Sequence, residues 1–200
     1  DFKDKVHKLI NDLKKSVDEC DDLLSNNEMF LVRTKNIGII TADEAIDLGL
    51  SGPSLRASGV LEDIRVTDPY SIYDRFDFGI PVGSKGDCWD RYFVRVQEMR
   101  ESIKIIEQAL IDLPEGEIIT PIKGMVRPPK GEVFIRTESP RGDLGVFVVS
   151  DGSDKPYRVK VRPPSFVNLQ ALELMLRDTY LADAVLVLGS IDIIMGEVDR

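Results

Sequence analysis

The chain has 200 residues, 42% hydrophobic and 30% charged, a composition typical of a globular protein. Acidic residues outnumber basic ones by 35 to 26, and the net charge of −9 argues against nucleic-acid binding, which needs an excess of Lys and Arg. The single histidine, His7, nearly excludes Ser-His-Asp catalysis and any multi-histidine metal site. The two cysteines, Cys20 and Cys88, have the spacing of neither a disulfide framework nor a metal site.

The sequence opens on Asp1 and passes directly into an amphipathic stretch. Its apolar runs stay short of the roughly 18 residues that a membrane-spanning helix requires, so we predict no such helix. We expect residues 1–200 to be a C-terminal fragment of one larger domain in a longer protein.

Residues 2–24 are predicted to form an amphipathic helix, because apolar residues recur there in alternating steps of four and three. The stripe includes Ile10, Val17 and Cys20, and we therefore expect Cys20 in the core. His7 lies one position beyond the stripe, which is typical of a histidine at the edge of a core.

A second and stronger apolar stripe runs from Tyr92 to Leu113. Asp87 is a good N-cap for this helix, and Pro114 stops it. Four charged residues fall off the stripe, namely Arg91, Arg95, Glu98 and Glu101. Most charges in such positions are simply solvated.

The region between these helices gives weaker signals. Residues 37–40 are compatible with a short strand or an extended turn. Thr41 and Glu44 have the spacing of a capping box, which predicts a short helix through about Leu48. Residues 49–86 alternate glycines, prolines and aromatics with charges, without periodicity. A segment of this kind is usually functional or draped over a partner.

After the second long helix, three short segments are rich in β-formers and are joined by turn-like residues, which predicts an antiparallel meander. These segments are residues 132–136, 145–149 and 157–161. Residues 168–176 and 181–189 are predicted helices. Residues 190–200, here called the tail, follow them.

Together these elements predict an α+β fold that is mainly helical, a bundle of long helices with a small three-stranded antiparallel β meander. Residues 1–114 form the helical part around the irregular segment 49–86. Residues 131–162 hold the meander, and residues 163–200 hold the C-terminal helices and the tail.

Spacing alone identifies no catalytic centre. Cys88 follows the Asp87 cap, and a helix N-terminus can activate a thiol, but no histidine lies near it in sequence. Arg158 and Lys160 line one face of the third predicted strand, where a solvated surface is favoured over an anionic partner. The tail leaves two interpretations open, a buried ionic anchor or a frayed exposed end.

Eight segments taken together resemble the 49-kDa subunit of proton-pumping NADH:quinone oxidoreductase (respiratory complex I). They are residues 50–59 (LSGPSLRASG), 68–73 (DPYSIY), 86–95 (GDCWDRYFVR), 98–102 (EMRES), 138–145 (ESPRGDLG), 149–152 (VSDG), 156–162 (PYRVKVR) and 189–200 (GSIDIIMGEVDR). Any one of them is weak, but the set, in this order, is highly specific for the C-terminal half of that 49-kDa protein.

The resemblance implies the fold of the [NiFe]-hydrogenase large subunit, in which a helical bundle is flanked by small β elements. Hydrogenases end in a Cys-containing pair of nickel ligands, whereas the corresponding positions here are Ile194 and Glu197, so we expect no metal site. The family's quinone-binding His and Tyr lie in the N-terminal half, and His7 does not match that histidine.

In the family, the tail packs near the quinone cavity and near the neighbouring B subunit, which holds the terminal iron–sulfur cluster. The resemblance therefore implies that Ile194, Met195 and Gly196 form part of the cavity wall. It implies that the tail is anchored by Asp192, Glu197, Asp199 and Arg200. The residues expected to form structural pairs or subunit contacts are Arg56, Asp87, Arg91, Arg95, Arg158 and Lys160.

The implied function is that of a quinone-proximal subunit in an enzyme that passes electrons from NADH through FMN and iron–sulfur clusters to quinone. The fragment is expected to bind no cofactor, to supply scaffold and one cavity wall, and to be inactive alone. The expected partners are subunits B, C and H, with quinone at the interface with the first of these, and no nucleic acid. We expect a peripheral location on the cytoplasmic side of the inner membrane, and self-association of the isolated fragment.

Two alternatives stay open. The chain is a purely structural assembly module of the same complex, or it is a subunit of a related membrane-bound hydrogenase, which the missing cysteines disfavour. The sequence also departs from the family at one place. The family carries a further helical stretch after the second long helix, whereas Ile122 is followed here by Pro128 and Pro129 within a few residues.

Overall fold

The computed structural model of the chain describes residues 2–121 and 124–199. Its helices are α1 (Phe2–Leu24), α2 (Glu28–Thr34), α3 (Ala42–Asp47), α4 (Pro53–Ala57), α5 (Ile64–Thr67), α6 (Cys88–Ile111), α7 (Pro164–Asn168), α8 (Leu172–Met175), α9 (Ala184–Ile191) and α10 (Met195–Val198). Short 3₁₀ turns occupy Tyr73–Arg75, Leu169–Ala171 and Leu181–Asp183. The strands are β1 (Gly131–Ser139), β2 (Gly142–Ser150) and β3 (Arg158–Arg162). The predicted fold class, α+β and mainly helical, is confirmed.

Helices α1 and α6 form an antiparallel pair. Lys14 on α1 contacts Glu107 at 2.6 Å, and further along α1 Asp21 contacts Arg100, which precedes Glu107 on α6, at 2.7 Å. The core between the helices consists of Ile10, Val17, Val96, Ile103 and Leu110. Burial of each of these side chains stabilises the pair by about 1.5–3 kcal/mol, which is why the two predicted stripes face each other.

The stripe on α1 is only partly covered. The prediction that Cys20 belongs to the core is wrong, because its side chain is exposed on α1. Leu13 on α1 and Met99 and Ile106 on α6 are at least 40% exposed. These apolar side chains border an open groove, here called the α1–α6 groove, which no part of the described chain fills.

The capping box predicted before α3 is present. The backbone N–H of Thr41 donates to a Glu44 carboxylate oxygen at 2.9 Å, and the N–H of Glu44 donates back to the Thr41 hydroxyl at 3.3 Å. Residues 37–40 form no strand, and the chain bends at residues 37 and 38. Gly38 has a φ of +62°, which explains why glycine stands at that bend.

Residues 51–58, inside the segment predicted to be irregular, are all buried. This stretch contains α4 and crosses the β1–β2 turn at very close range. A Cβ atom at Gly52 would lie 2.4 Å from the Cα atom of Gly142, and the φ of Gly52 is +64°. This part of the segment therefore packs inside the chain and is not draped over a partner.

Within the described residues, the strands form one antiparallel sheet in the order β1–β2–β3, which is the predicted meander. Strands β1 and β2 are nine residues long each, longer than the sequence predicts. Val133 pairs with Val148, which pairs with Val159, so these three side chains lie on one face of the sheet.

A second core joins the segment before α6 to the C-terminal helices. It consists of Ile40, Ala45, Leu50, Leu55, Cys88, Ala171, Met175, Val187 and Ile191. The single helix predicted over residues 168–176 is wrong, because α7 begins earlier, at Pro164, and a 3₁₀ turn separates it from α8. No helix in the described part of the chain has both the length and the apolar character needed to cross a membrane.

Candidate functional site

Arg56, on the buried helix α4, lies at the centre of an ionic group. Its side chain is 2% exposed and donates from Nε to Glu98 at 2.7 Å and from Nη2 to Glu138 at 2.9 Å. Its Nη1 donates to the carbonyl oxygen of Glu62 at 2.8 Å and lies 3.8 Å from Asp63. Arg56 thereby joins α4 to α6, to β1 and to the turn before α5.

Arg65 completes this group. We call it the Arg56 cluster, and it comprises Arg56, Asp63, Arg65, Glu98 and Glu138. Asp63 is buried and accepts hydrogen bonds from Nε, Nη2 and the backbone N–H of Arg65. The guanidinium of Arg65 also lies over the ring of Phe78, at 4.9 Å from the ring centroid. With three carboxylates and two guanidiniums, the cluster carries a net charge of −1 when all five groups are ionised.

Burial and pairing act in opposite directions on the carboxyl groups of the cluster. Burial raises the pKa of Glu98 and the pKa of Glu138, and the nearby Arg56 offsets only part of this effect. Burial also acts on Asp63, but its bonds to Arg65 and the charge of Arg56 outweigh it and hold the pKa of Asp63 below its ordinary value. Asp63 is thus firmly ionised, and the two glutamates have the higher proton affinity.

The N-terminus of α6 is capped as predicted. Asp87 is buried, and its carboxylate accepts a hydrogen bond of 2.8 Å from the backbone N–H of Asp90. Its other oxygen accepts from the backbone N–H of Asn36, also at 2.8 Å. Asp87 therefore fixes both the first turn of α6 and the start of the segment that follows α2.

Arg91 lies one turn into α6 and is fully buried, so it is not one of the solvated charges that are typical of positions off the apolar stripe. Its guanidinium donates to the carbonyl oxygens of Gly86 and Gly38 at 2.7 and 2.8 Å and to the hydroxyl of Ser190 at 2.9 Å. Burial lowers the pKa of Arg91. The residue links α6 to the start of the tail.

Arg95 contacts the tail directly, and it too is not a solvated charge. Its two terminal nitrogens donate to the carbonyl oxygens of Ser190 and Ile191 at 2.8 and 2.9 Å. Burial lowers the pKa of Arg95 to about 10. From the opposite side, Nε of Arg141 in the β1–β2 turn donates to the carbonyl oxygen of Asp192 at 2.7 Å. Two guanidiniums therefore hold the chain where it leaves α9.

Asp192 and Glu197 are the predicted anchors whose contacts the structure describes. Asp192 has a φ of +60°, and its carboxylate lies 3.5 Å from Arg141. Glu197 accepts hydrogen bonds from the backbone N–H and the hydroxyl of Ser165, at the start of α7. Asp199 is exposed. Arg200 lies outside the described residues, so its predicted role as an anchor stays a prediction.

The residues predicted to line the quinone cavity lie between these two anchors. Ile194 is 40% exposed, Met195 is 68% exposed, and Gly196 is exposed as well. An apolar surface is thus presented outwards by a short segment whose two ends are hydrogen-bonded to the body of the chain. Its role as a cavity wall stays a prediction.

The α1–α6 groove opens beside the Arg56 cluster and the start of the tail. Its volume is about 580 Å³. Apolar side chains line its length, among them Leu13, Val17, Met99, Ile103 and Ile106. Charged side chains line its end, namely Arg56, Arg65, Arg95, Glu98, Glu138 and Asp192. A groove of this size accommodates a small ligand or a packed segment of polypeptide.

Arg158 and Lys160 lie apart from these contacts. Both are exposed on β3, where Arg158 pairs with Val149 and Lys160 pairs with Phe147. Neither takes part in the hydrogen bonds of the Arg56 cluster or of the tail given above. The structure therefore does not bring them together with the other predicted contact residues.

The donor atoms present do not fit a nickel site. In residues 2–121 and 124–199, no three His, Cys, Asp or Glu side chains converge as ligands of a metal ion. Ile194 offers no donor atom, and Glu197 is occupied by Ser165. Cys88 is buried, with its sulfur 3.2 Å from Nη2 of Arg91, and Cys20 lies exposed on α1.

Asp63, Glu138 and Arg141 are site residues that the sequence patterns above do not single out, and Glu98 is paired with Arg56 although its position off the apolar stripe indicates a solvated charge. Glu138 and Arg141 lie within the resembling segment 138–145, so a signal for them was present. Asp63 stands two residues before Arg65, a spacing compatible with a capped turn and a local ion pair. The burial of Glu98 has no local signal, because its partner Arg56 lies 42 residues away.

Similarity to known proteins extends over the whole chain. The chain matches the family described as respiratory-chain NADH dehydrogenase, 49 Kd subunit, over residues 1–126 and 121–200. The two matched pieces meet where the sequence departs from the family pattern.

Relatives named as the D subunit of NADH-quinone oxidoreductase cover nearly the whole chain. The one from Dehalococcoides mccartyi is 52% identical over 200 residues, which are 100% of this chain and 54% of the relative. Those from Desulforamulus reducens and Bacillus anthracis are 50% and 49% identical, over 99% and 98% of this chain and 54% of each relative. The chain thus spans about half the length of the curated relatives it matches. It belongs to the family of the 49-kDa subunit of respiratory-chain NADH dehydrogenase.

Proposed function

We propose that the chain forms part of the 49-kDa subunit of an NADH:quinone oxidoreductase, where it supplies scaffold and one wall of the quinone cavity. The observation that carries this proposal is the geometry of the tail. Ile194 and Met195 are exposed, although the segment on either side of them is anchored by Asp192 and Glu197. An apolar surface that is held rigidly towards the outside suits contact with a hydrophobic ring.

The role of this wall is to bind and orient. Ile194 and Met195 offer aliphatic and thioether surface that packs against an apolar ring. Gly196 has no side chain and permits close approach to its backbone. The electron-transfer chemistry would come from NADH, FMN and iron–sulfur clusters held by other subunits. The isolated chain therefore binds none of these cofactors and does not reduce quinone.

The proposed partners are subunits B, C and H, with quinone at the interface with the first of these and no nucleic acid. We place the 49-kDa protein peripherally, on the cytoplasmic side of the inner membrane. Exposed apolar side chains support the presence of protein partners. Tyr180, Leu181 and Val185 are at least 80% exposed within one short stretch, and such patches mark contact surfaces. The same surfaces lead us to expect self-association of the isolated chain.

The proposal is tested by Ile194→Trp in the assembled oxidoreductase. A wall residue enlarged in this way should raise the KM for quinone or weaken inhibitor binding, while NADH oxidation by a water-soluble artificial acceptor stays normal. Ile119→Trp is the matched control, because Ile119 is 76% exposed on the connection between α6 and β1. Unchanged quinone kinetics in an assembled Ile194→Trp enzyme would overturn the assignment of the wall.

A purely structural assembly role is the second candidate. It is favoured by the many hydrogen bonds through which Arg95, Arg141 and Glu197 anchor the tail. In that case, Ile194→Trp should reduce the amount of assembled complex and leave the quinone kinetics of the remainder unchanged. A role as a hydrogenase subunit is not supported, because Ile194 stands at a position where hydrogenases need a thiolate ligand for nickel. Detection of nickel in the purified protein would reinstate this role.

A further inference from the structure

The Arg56 cluster holds one carboxylate more than its guanidiniums balance. Asp63 is committed to Arg65, whose Nε, Nη2 and backbone N–H all donate hydrogen bonds to it. Arg56 is then left to two glutamates, Glu98 and Glu138, each bonded to a different nitrogen of the same guanidinium. One guanidinium neutralises one carboxylate, so the second glutamate adds a buried charge without a counter-charge of its own.

Charged and titratable groups on the neighbouring elements surround the two glutamates. Helix α4 contributes Arg56, the turn before α5 contributes Asp63, and α5 contributes Arg65. Helix α6 contributes Arg95, whose charge favours the ionised form of Glu98. The phenol oxygen of Tyr70 accepts the backbone N–H of Glu138 at 3.0 Å and adds no cation. Among the described residues, Arg56 is therefore the one cation within hydrogen-bonding distance of the pair.

The two glutamates differ from Asp63 in their access to solvent. The side chains of Glu98 and Glu138 are 17% and 7% exposed, and that of Asp63 is 0% exposed. Both glutamates border the α1–α6 groove, whereas Asp63 does not. Water in the groove can thus exchange a proton with either glutamate.

We propose that Glu98 and Glu138 together form a proton-binding site that holds one exchangeable proton around Arg56 and opens into the α1–α6 groove. The proton passes from water in the groove to a carboxylate oxygen, and the net charge of the cluster changes from −1 to 0. The pair titrates as a unit, because each glutamate competes for the same guanidinium. Any apolar group that fills the groove excludes water from the pair and so favours the protonated form.

The proton-binding site is independent of the proposed function and is tested on the 200-residue chain itself. The probe is the proton, followed by the ¹³C chemical shifts of the side-chain carboxyl carbons across a pH titration. We expect one titration midpoint of the pair above the ordinary glutamate value of 4.5. Midpoints at or below 4.5 for both glutamates would overturn the proposal, and this measurement needs no variant.

The Glu138→Gln variant then tests whether Glu98 and Glu138 share one proton. The amide keeps a carbonyl oxygen for Nη2 of Arg56 but removes the extra charge, so the midpoint of Glu98 should fall by about one pH unit or more. Glu101→Gln is the matched control, because Glu101 lies on the same helix and bonds to Lys104 outside the cluster. A midpoint of Glu98 that is the same in both variants would show that the glutamates are independent and would refute a shared proton.

Discussion

The guanidinium of Arg141 donates a hydrogen bond of 2.7 Å to the main-chain carbonyl oxygen of Asp192. The bond connects the β1–β2 turn to the start of the tail, across 51 positions of sequence. Because the donor is charged, the bond is stronger than one between neutral groups. The orientation of the tail therefore depends on the position of the hairpin.

Replacing Arg141 by Gln should loosen the tail. Loss of the charged donor is expected to lower the free energy of unfolding by about 1–3 kcal/mol. It should also speed amide hydrogen exchange at residues 193–199 more than in α6. Arg158→Gln is the control, since Arg158 is exposed on β3. Equal exchange rates in the two variants would mean that Arg141 does not hold the tail.

Replacing Arg56 by Met should be far more damaging. The substitution leaves Glu98 and Glu138 buried without their cation, and breaking a buried ion pair in this way costs about 3–5 kcal/mol. Urea unfolding at neutral pH measures the loss. Part of it should be recovered at mildly acidic pH, where the two glutamates become protonated. A loss below about 1 kcal/mol would contradict the central role of Arg56.

The stability contributed by Asp63 should depend on pH with a definite sign. Its pKa is lower in the folded chain than in the unfolded chain, so its ionised form stabilises the fold. This stability is fully present above the ordinary value of 3.8 and is lost as the pH falls through the folded pKa. Asp63→Asn should therefore lower the free energy of unfolding at pH 7 by about 1–3 kcal/mol.

The difference between Asp63→Asn and the parent chain should shrink as the pH falls below 3.8. Urea titrations at several pH values measure it. Asp43→Asn serves as the control, because Asp43 is exposed on α3. A difference that stays constant down to the acid limit would argue that the effect of the substitution is steric rather than electrostatic.

Gly52 should not tolerate a side chain. In Gly52→Ala, the new Cβ would lie 2.4 Å from the Cα atom of Gly142, and the backbone has a φ of +64°. We expect a loss of about 3 kcal/mol or more, from strain and overlap together. Gly59→Ala isolates the strain, because Gly59 also has a positive φ but its nearest neighbour is 3.6 Å away. Equal losses of unfolding free energy in the two variants would show that steric overlap at Gly52 does not contribute.

The two cysteines should differ sharply in reactivity. Cys20 is exposed on α1, and Cys88 is buried in the second core. A water-soluble thiol reagent should modify Cys20 rapidly and Cys88 only on unfolding. Mass spectrometry of the labelled chain counts the modified sites. Modification of both thiols at the same rate under native conditions would contradict the packing around the N-terminus of α6.

Local patterns predict the elements of this fold well. The alternating apolar steps of α1 and α6, the Thr41 capping box and the Asp87 cap all arise from neighbours within a few residues. The β meander is likewise found from composition and turns, although β1 and β2 run longer than predicted. These features need no knowledge of the tertiary structure, because the interactions that define them are short in sequence.

The candidate site was harder to predict, because its contacts are distant in sequence. Charges off an apolar stripe indicate a solvated face, but Arg91, Arg95 and Glu98 find partners on other segments. Cys20 shows the reverse case, since its position in the stripe indicates burial while α6 covers only part of α1. Periodicity thus identifies the faces of a helix and leaves open which neighbour covers each face.

The contacts of Arg91 can form only late in the synthesis of the chain. Ser190, one of its partners, leaves the ribosome 99 residues after it, and Val187 and Ile191 of the second core are equally late. Helices α1 and α6 can associate as soon as both have emerged, because their shared core is complete by then. The second core cannot form until α9 has been synthesised. The residues of the second core therefore stay accessible to a chaperone or a neighbouring polypeptide until most of the described sequence has been translated.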